Sequence, residues 1–427
     1  MQRPLPRPTL TRPSASSSTT RYARRAKGMT TSQIRALFAV ASRPEVVSLA
    51  GGMPNLSVLP LDAVAATVQH LIKEHSAVAL QYGSGQGDPQ LRERICEVMA
   101  LEGIAAPAQD VVITVGSQQA LDLVTRIFCD PGDVVLCEAP SYVGALGVFA
   151  SYECEVVQVP MDEGGLVPAA LAEALGRLAA AGRRAKFLYT IPNHHNPAGV
   201  SIPQSRRAEL LDICTAADLL IVEDNPYGLL SFDAEPPPAI RAMDPKVIYL
   251  GSFSKTFAPG FRVGWALAPP DVRDALVLVQ EAATLCPPTF GQHAVSAYLA
   301  GQDWRAQIDA LRDLYLERRD AMLDALRQEL SGIATWTVPD GGFYIWLRLP
   351  AGVDTTAMLP RAIEQRVAYV PGAAFFAGSG GTDNLRLSYC YPTPERIQEG
   401  VRRLARVIES ELDSAPAVRT PVALVRS

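Results

Sequence analysis

The apolar run Val247 to Leu250 reads as a buried strand, and the cluster Gly251, Ser252, Phe253, Ser254 stops it just before Lys255. Lys255 therefore stands at a strand's end, with the hydroxyls of Ser252 and Ser254 at short range. Arg262 follows after a Pro-Gly turn. One amine, two hydroxyl donors and one fixed cation make a place for a phosphate beside a reactive amine. A lysine in such a partly desolvated, cationic pocket loses proton affinity and can condense with an aldehyde, the chemistry that anchors a phosphorylated aldehyde cofactor. The segment alone also fits a surface lysine in a Ser-rich turn.

Other polar clusters fall at the ends of other expected strands. Asp110 to Val115 reads as a strand that runs through Gly116, Ser117 and Gln118 into an apolar helical stretch, Ala120 to Phe128. Such an entry leaves free N–H groups at the helix start, with Ser117 as the expected N-cap, and makes an anion site. Glu138 to Tyr142, Pro192 to Gly199 and Glu223 to Tyr227 follow three further strands. If its strand persists to the tip, Asp224 faces away from Glu223. Each cluster alone is ordinary turn chemistry, but their coincidence with the lysine segment points to one shared site. The Gly-rich loop Leu80 to Asp88 lacks both a preceding strand and the G-K-[ST] ending of a nucleotide-phosphate loop. His194 and His195 lack a spaced acidic or Cys partner, so the expectation is an exposed loop pair and no metal site.

Strands and helices alternate through Val134–Cys137, Val156–Val159, Phe187–Ile191, Leu219–Val222 and Val247–Leu250, which implies an α/β fold with a mainly parallel sheet covered by helices on both faces. Ligands in such sheets bind beyond the carboxyl ends of the strands, where the polar clusters lie. Arg262 to Leu267 reads as one more strand, a helix starts at about Asp271, and a long amphipathic helix spans about Arg305 to Leu330. A smaller α+β unit follows: Ile333 to Val338, Phe343 to Leu349, a helix at Thr355 to Gln365, the run Ala368 to Gly372, Leu385 to Cys390, and a last helix from Pro394 to Leu412. Earlier, Thr30 to Ala41 has helical spacing, Val47 to Asn55 is extended through Gly51 and Gly52, and Leu61 to His70 reads as a helix. The expected division is a tail over 1–28, an arm over 29–60 that joins the smaller unit, a large domain over 61–304, a connecting helix over 305–332, a small domain over 333–412 and a tail over 413–427.

The 427 residues, 48% hydrophobic and 19% charged, are enough for two cores, and no apolar run approaches the roughly 20 residues that span a bilayer. A net charge of -5 gives no electrostatic reason to expect nucleic acid. Seven cysteines, scattered and without C-x-x-C spacing, read as small buried hydrophobes in a reducing compartment, so a cytoplasmic setting is expected. Residues 1–28 are rich in Arg, Pro and Ser and have no acid. The prolines break the amphipathic helix of a transit peptide and no apolar core of a secretory signal is present, which leaves a disordered extension as the expectation.

The ordered set of motifs resembles the fold-type I, pyridoxal phosphate (PLP)-dependent aminotransferases of class I/II over about residues 29 to 412. Within them it is similar to the 2-aminoadipate and kynurenine aminotransferase branch and to the aminotransferase-like domain of MocR-type regulators. The resemblance implies that Lys255 binds PLP and acts as base, and that Asp224 holds the ring nitrogen. It gives Asn196 and Tyr227 the phenolate oxygen and Tyr142 the ring face, and it gives Ser117, Gln118, Ser252, Ser254 and Arg262 the phosphate. Arg386 in Leu385-Arg386-Leu387 would take the substrate α-carboxylate; a structural ion pair is the other reading. Gly51 would lie near that carboxylate and Arg35 near the substrate side chain, unless Arg35 is a solvated helix arginine. Tyr82 would reach the phosphate of a neighbouring subunit, which implies a homodimer with shared sites; a core tyrosine beside a turn is the alternative. The implied reaction moves the amino group of an α-amino acid to a 2-oxo acid, with 2-oxoglutarate as the expected acceptor. A PLP-dependent elimination or cyclisation uses the same pocket, and a regulator's effector domain is a distant alternative.

Overall fold

Among the strands, Val111–Thr114 (β2), Ile248–Ser252 (β8) and Gly264–Leu267 (β9) are buried at every residue, Val134–Ala139 (β3) and Leu220–Asp224 (β7) at all but one, and Ala185–Thr190 (β6) from Phe187 onward. Such unbroken apolar runs are what a sheet covered on both faces requires. With Glu155–Asp162 (β4) and Gly165–Leu166 (β5) they form one eight-stranded sheet in the order β2-β9-β8-β7-β6-β3-β4-β5. The pairs β3/β4, β3/β6, β6/β7 and β7/β8 are parallel, whereas β9 is antiparallel to both of its neighbours. The computed structural model describes residues 22–27, 43–232 and 237–414.

Side-chain alternation divides β2, β8 and β9 between two cores, one on each face of the sheet. Val111, Ile113, Tyr249, Trp265 and Leu267 pack with Ile95, Val98 and Val295 on one face, while Val112, Ile248, Leu250 and Ala266 pack with Ala120, Val124 and Leu276 on the other. Full burial of each Val, Leu or Ile among them stabilises the fold by roughly 1.5–3 kcal/mol. The helix Thr289–Gly301, preceded by Pro287 and Pro288 and not foreseen from the sequence, closes the first face.

The 27-residue helix Trp304–Leu330, with Asp303 accepting from Ala306 N at 3.0 Å, leads to an antiparallel sheet of Thr335–Trp336 (β10), Tyr344–Arg348 (β11), Asn384–Ser388 (β14) and Val370–Pro371 (β13), in that order. Its core joins Tyr315, Met322 and Leu326 of the long helix to Ile397, Val401 and Leu404 of the helix Pro394–Ser414. Val47–Ser48 (β1) pairs in parallel with Val367–Ala368 (β12), and Leu49 is stitched in by bonds from its N to Ala368 O and from Ser388 N to its own O. That stitching fixes where Gly51 and Gly52 emerge.

Several boundaries differ from the expectation. Gly116, at φ 75°, is the N-cap and Ser117 the first helical residue of Ser117–Phe128, because only the glycine accommodates the left-handed entry. Arg262 precedes β9 and sits at φ 55°, outside any strand. The run Ala368 to Gly372 divides between β12 and β13, which serve different sheets. Ile333 to Val338 keeps only β10, Leu385 to Cys390 is shifted to Asn384–Ser388, and the helix from Leu61 runs on to Glu74. Arg24–Lys27 forms a helical turn within the segment read as a tail, and Asp413 and Ser414 belong to the last helix. The rest of both expected tails, and the expected helix Thr30 to Ala41, lie outside the described residues. Among the described residues no helix is long and apolar enough to cross a membrane.

Candidate active site

Gly264 is paired with Thr114 on one side and Ser252 on the other, so the ends of β2 and β8 flank the start of β9. This register brings the helix start at Ser117 and Gln118, the guanidinium of Arg262 and the hydroxyls of Ser252 and Ser254 to one edge of the sheet. A Cβ on Gly116 would lie 2.5 Å from Arg262 Nη2, and one on Gly264 2.6 Å from Ser117 N, so the close approach needs glycine at both. Arg262 Nη2 donates to Val115 O at 3.0 Å; Ser252 Oγ accepts from Ser254 N at 3.0 Å and donates to Ser254 Oγ at 2.8 Å. Gln118 Nε2 donates to Gly144 O at 3.0 Å, which ties the helix start to the turn carrying Tyr142. First-turn amides have no partner within the helix, so the cradle offers N–H donors, hydroxyls and one cation to a dianion.

The Lys255 amine donates to Gly52 O at 2.8 Å and lies 5.5 Å from the ring centre of Phe343. Burial pushes its pKa down to about 8, with the cations Arg386 and Arg262 acting in the same direction and the Cys390 thiol opposing them. An amine so placed is a nucleophile and base near neutral pH.

Asp224 ends β7 and is buried. Its Oδ2 accepts from Tyr189 Oη at 2.8 Å, while Oδ1, equally inaccessible, has no partner among the described residues. Burial raises its pKa to about 7, the Tyr189 bond works against that, and the charge of Glu138 adds to it. An orphaned carboxylate oxygen at this depth fits a cationic N–H donor such as a protonated pyridine nitrogen, so the residues present fit PLP. Glu223 faces the other way, accepting from the amides of Ile240 and Arg241 at 3.0 and 2.8 Å. Tyr227 Oη donates to Tyr344 Oη at 3.3 Å, and burial pushes the Tyr142 phenol up to about 12.

Arg386 is 2% exposed, donating from Nη1 to Asn196 Oδ1 at 2.8 Å and from Nη2 to Ala50 O at 2.7 Å. Its guanidinium carbon lies 4.1 Å from the ring centre of Tyr344 and 5.1 Å from that of Phe375. Both hydrogen-bond partners are neutral, and Nε has none among the described residues, an arrangement suited to an arriving carboxylate.

A cleft of about 610 Å³ joins these groups, lined by Ser117, Gln118, Tyr142, Asn196, Asp224, Tyr227, Ser252, Ser254, Lys255, Arg262 and Arg386. Gly51 lines the neighbouring cavity; the loop reaches the cleft with Gly52, packed against the Tyr344 hydroxyl, and Met53. Tyr82 is 77% exposed and does not reach the cleft of its own chain. Arg35 lies outside the described residues. Tyr344 and Tyr189 were not singled out from the sequence. Tyr344 lies in the legible strand β11, but only the pairing of that strand with β14 puts it beneath Arg386. The exposed histidine pair is overturned, since His194 and His195 are each 1% exposed, each facing a carboxylate brought by another part of the chain. Among the described residues no group of three or more His, Cys, Asp or Glu side chains could hold a metal.

Residues 44–404 match the family model described as aminotransferase class I and II. The chain is 41% identical to the aromatic-amino-acid aminotransferase 1 of Thermococcus litoralis over 92% of this chain and 94% of that one. The solved Pyrococcus horikoshii kynurenine aminotransferase, in complex with PMP, superposes with a TM-score of 0.89 at 39% identity, covering 93% of this chain and 98% of the other. The Thermus thermophilus α-aminoadipate aminotransferase, complexed with N-(5'-phosphopyridoxyl)-L-leucine, gives 0.87 at 36%, covering 93% and 100%.

Proposed function

Because this chain belongs to the class I and II aminotransferases, enzymes that use PLP to move an amino group, we propose that its donors are α-amino acids held by Arg386 and its acceptor is 2-oxoglutarate. The observation that carries this reading is the amine of Lys255 between two anion sites, the cradle of Ser117 and Arg262 at one end of the cleft and Arg386 at the other. When bound, the cofactor supplies a carbonyl and an electron-accepting ring. Asp224 Oδ1 would hold the ring-nitrogen proton, Asn196 and Tyr227 would donate to the phenolate oxygen, and Tyr142 would cover the ring face. Lys255 Nζ, neutral above its lowered pKa, takes the α-proton of the bound amino acid and returns it. Tyr142, Tyr227 and Tyr344 line the cleft beside that amine.

Every α-amino acid carries the carboxylate that Arg386 is placed to bind, whereas Arg35 serves at most one side-chain class. Arg386→Ala should therefore lower kcat/KM about a hundredfold or more for glutamate, aminoadipate, leucine and phenylalanine together. Arg35→Ala should only reorder acidic against aromatic and aliphatic donors. Uniform losses in Arg35→Ala with selective ones in Arg386→Ala would reverse the two roles.

We also propose a homodimer with shared sites. Tyr82, Val78, Leu80 and Leu285 are 77%, 60%, 65% and 58% exposed, and Thr289 Oγ1 bonds Gln81 O at 2.7 Å to hold their segments side by side. An apolar surface of this kind suits a second copy of the chain, with Tyr82 reaching its phosphate cradle.

A further inference from the structure

We propose that His194 and Asp340 form a positioning clasp that sets Arg386 for the substrate carboxylate; the proposal rests on the reading of Arg386 given above. The guanidinium has supports from two distant parts of the chain. Asn196, which accepts from Nη1, lies in the loop after β6, and Tyr344, whose ring lies under the guanidinium, opens β11. Asn196 is two residues from His194, and Tyr344 four from Asp340.

The clasp joins those two segments directly. His194 Nδ1 is 3.0 Å from Asp340 Oδ1, and Nε2 is 2.9 Å from Ser231 Oγ. An ionised carboxylate only accepts, so Nδ1 donates to Asp340, while Nε2 pairs with the Ser231 hydroxyl. Ser201 Oγ, from the same loop as His194, also donates to Asp340 Oδ1 at 3.1 Å. His194 holds φ 47°, a left-handed conformation that a non-glycine residue keeps only where its surroundings impose it. Its imidazole packs on Gly341 and its Cβ on Gly342, where an added Cβ would come within 2.6 Å of it. The far segment is itself tied down, with Tyr389 Oη donating to Gly341 O at 2.8 Å and Phe232 N to Asp340 O at 2.8 Å. None of these contacts involves the phosphate cradle, Asp224 or Lys255; the clasp reaches the cleft through Asn196 and Tyr344, the two supports of Arg386.

Asp340 is the residue to vary, because its side chain is 59% exposed and its removal opens no buried void. In the PLP-loaded enzyme Asp340→Ala should raise KM about tenfold for acidic and aromatic amino acids alike and leave kcat within about threefold, as loss of one aligned contact would. The affinity for PLP, read by absorbance titration of the cofactor-free protein, should stay within about twofold, and Asp340→Asn, which keeps an acceptor for His194, should restore KM. An unchanged KM in Asp340→Ala, a KM that rises with the PLP dissociation constant, or no rescue by Asn overturns the clasp. Arg386→Lys in parallel separates the two claims. If it leaves KM unchanged, the reading of Arg386 fails; if it raises KM while Asp340→Ala does not, the clasp alone fails.

Discussion

The amine of Lys255 is held near neutrality by burial first and by the cations Arg386 and Arg262 second. The direction is physically required. Moving an ammonium out of water into a site with two fixed guanidinium groups penalises the charged form, so the proton leaves at lower pH than from an exposed lysine. The reactive form therefore gains as pH rises. The rate at which cofactor-free protein captures PLP, followed by visible absorbance, should climb with pH, pass its midpoint at about 8 and level off above it. Lys255→Ala should fold but show neither the covalent absorbance nor turnover; a variant that kept full turnover would sink the assignment. Capture that still climbed well above the midpoint with the wild-type protein would mean an amine as basic as a free lysine.

At the scale of the element, the phosphate cradle depends on how closely a strand start can approach a helix start. The Gly116 and Gly264 backbones leave no space for side chains, and the Arg262 guanidinium fills what remains. Gly116→Ala adds two penalties, since φ 75° is unfavourable for alanine and the new methyl displaces Arg262. Affinity for PLP should fall about tenfold or more in an equilibrium titration. Gly132→Ala is the control, because at φ 91° it carries similar backbone strain with nothing within 4 Å of the added Cβ. It should lower the melting temperature and spare PLP binding. Equal losses of affinity in both variants would show that the cradle's geometry is not what holds the phosphate.

At the scale of the whole molecule, the cleft lies between the eight-stranded sheet and the four-stranded one, with the chain around Gly52 bridging them. Substrate contacts are thus shared between parts of the sequence more than 300 residues apart, Ala50 and Arg386 among them. A second copy would extend the sharing across an interface. Light scattering should report twice the mass of the 45.8 kDa chain, and Tyr82→Ala should weaken PLP binding without altering the Lys255 absorbance at saturation. A fully active monomer would exclude shared sites.

The local signals of this protein were legible in its sequence because they are local. An apolar run ended by Ser252, Phe253 and Ser254 is a buried strand with a lysine at its tip, and Gly116 before Ser117 marks a helix start open to an anion. Fold class followed from the same runs, since unbroken apolar strands alternating with helices have few other ways to bury both faces. Strand order and register, by contrast, are long-range pairings with no local signature. Only they put Gly264 between Thr114 and Ser252, Tyr344 beneath Arg386 and the Gly52 carbonyl against the amine. The histidine pair is the plainest case: polar residues in an Asn-Pro loop look exposed until another segment brings a carboxylate to each. Glu138 meets His195 at 3.8 Å and Asp340 meets His194 at 3.0 Å. Spacing along the chain determined which residues could do chemistry; tertiary packing decided which of them meet, because a carboxylate acts on its neighbours in space and not on its neighbours in sequence.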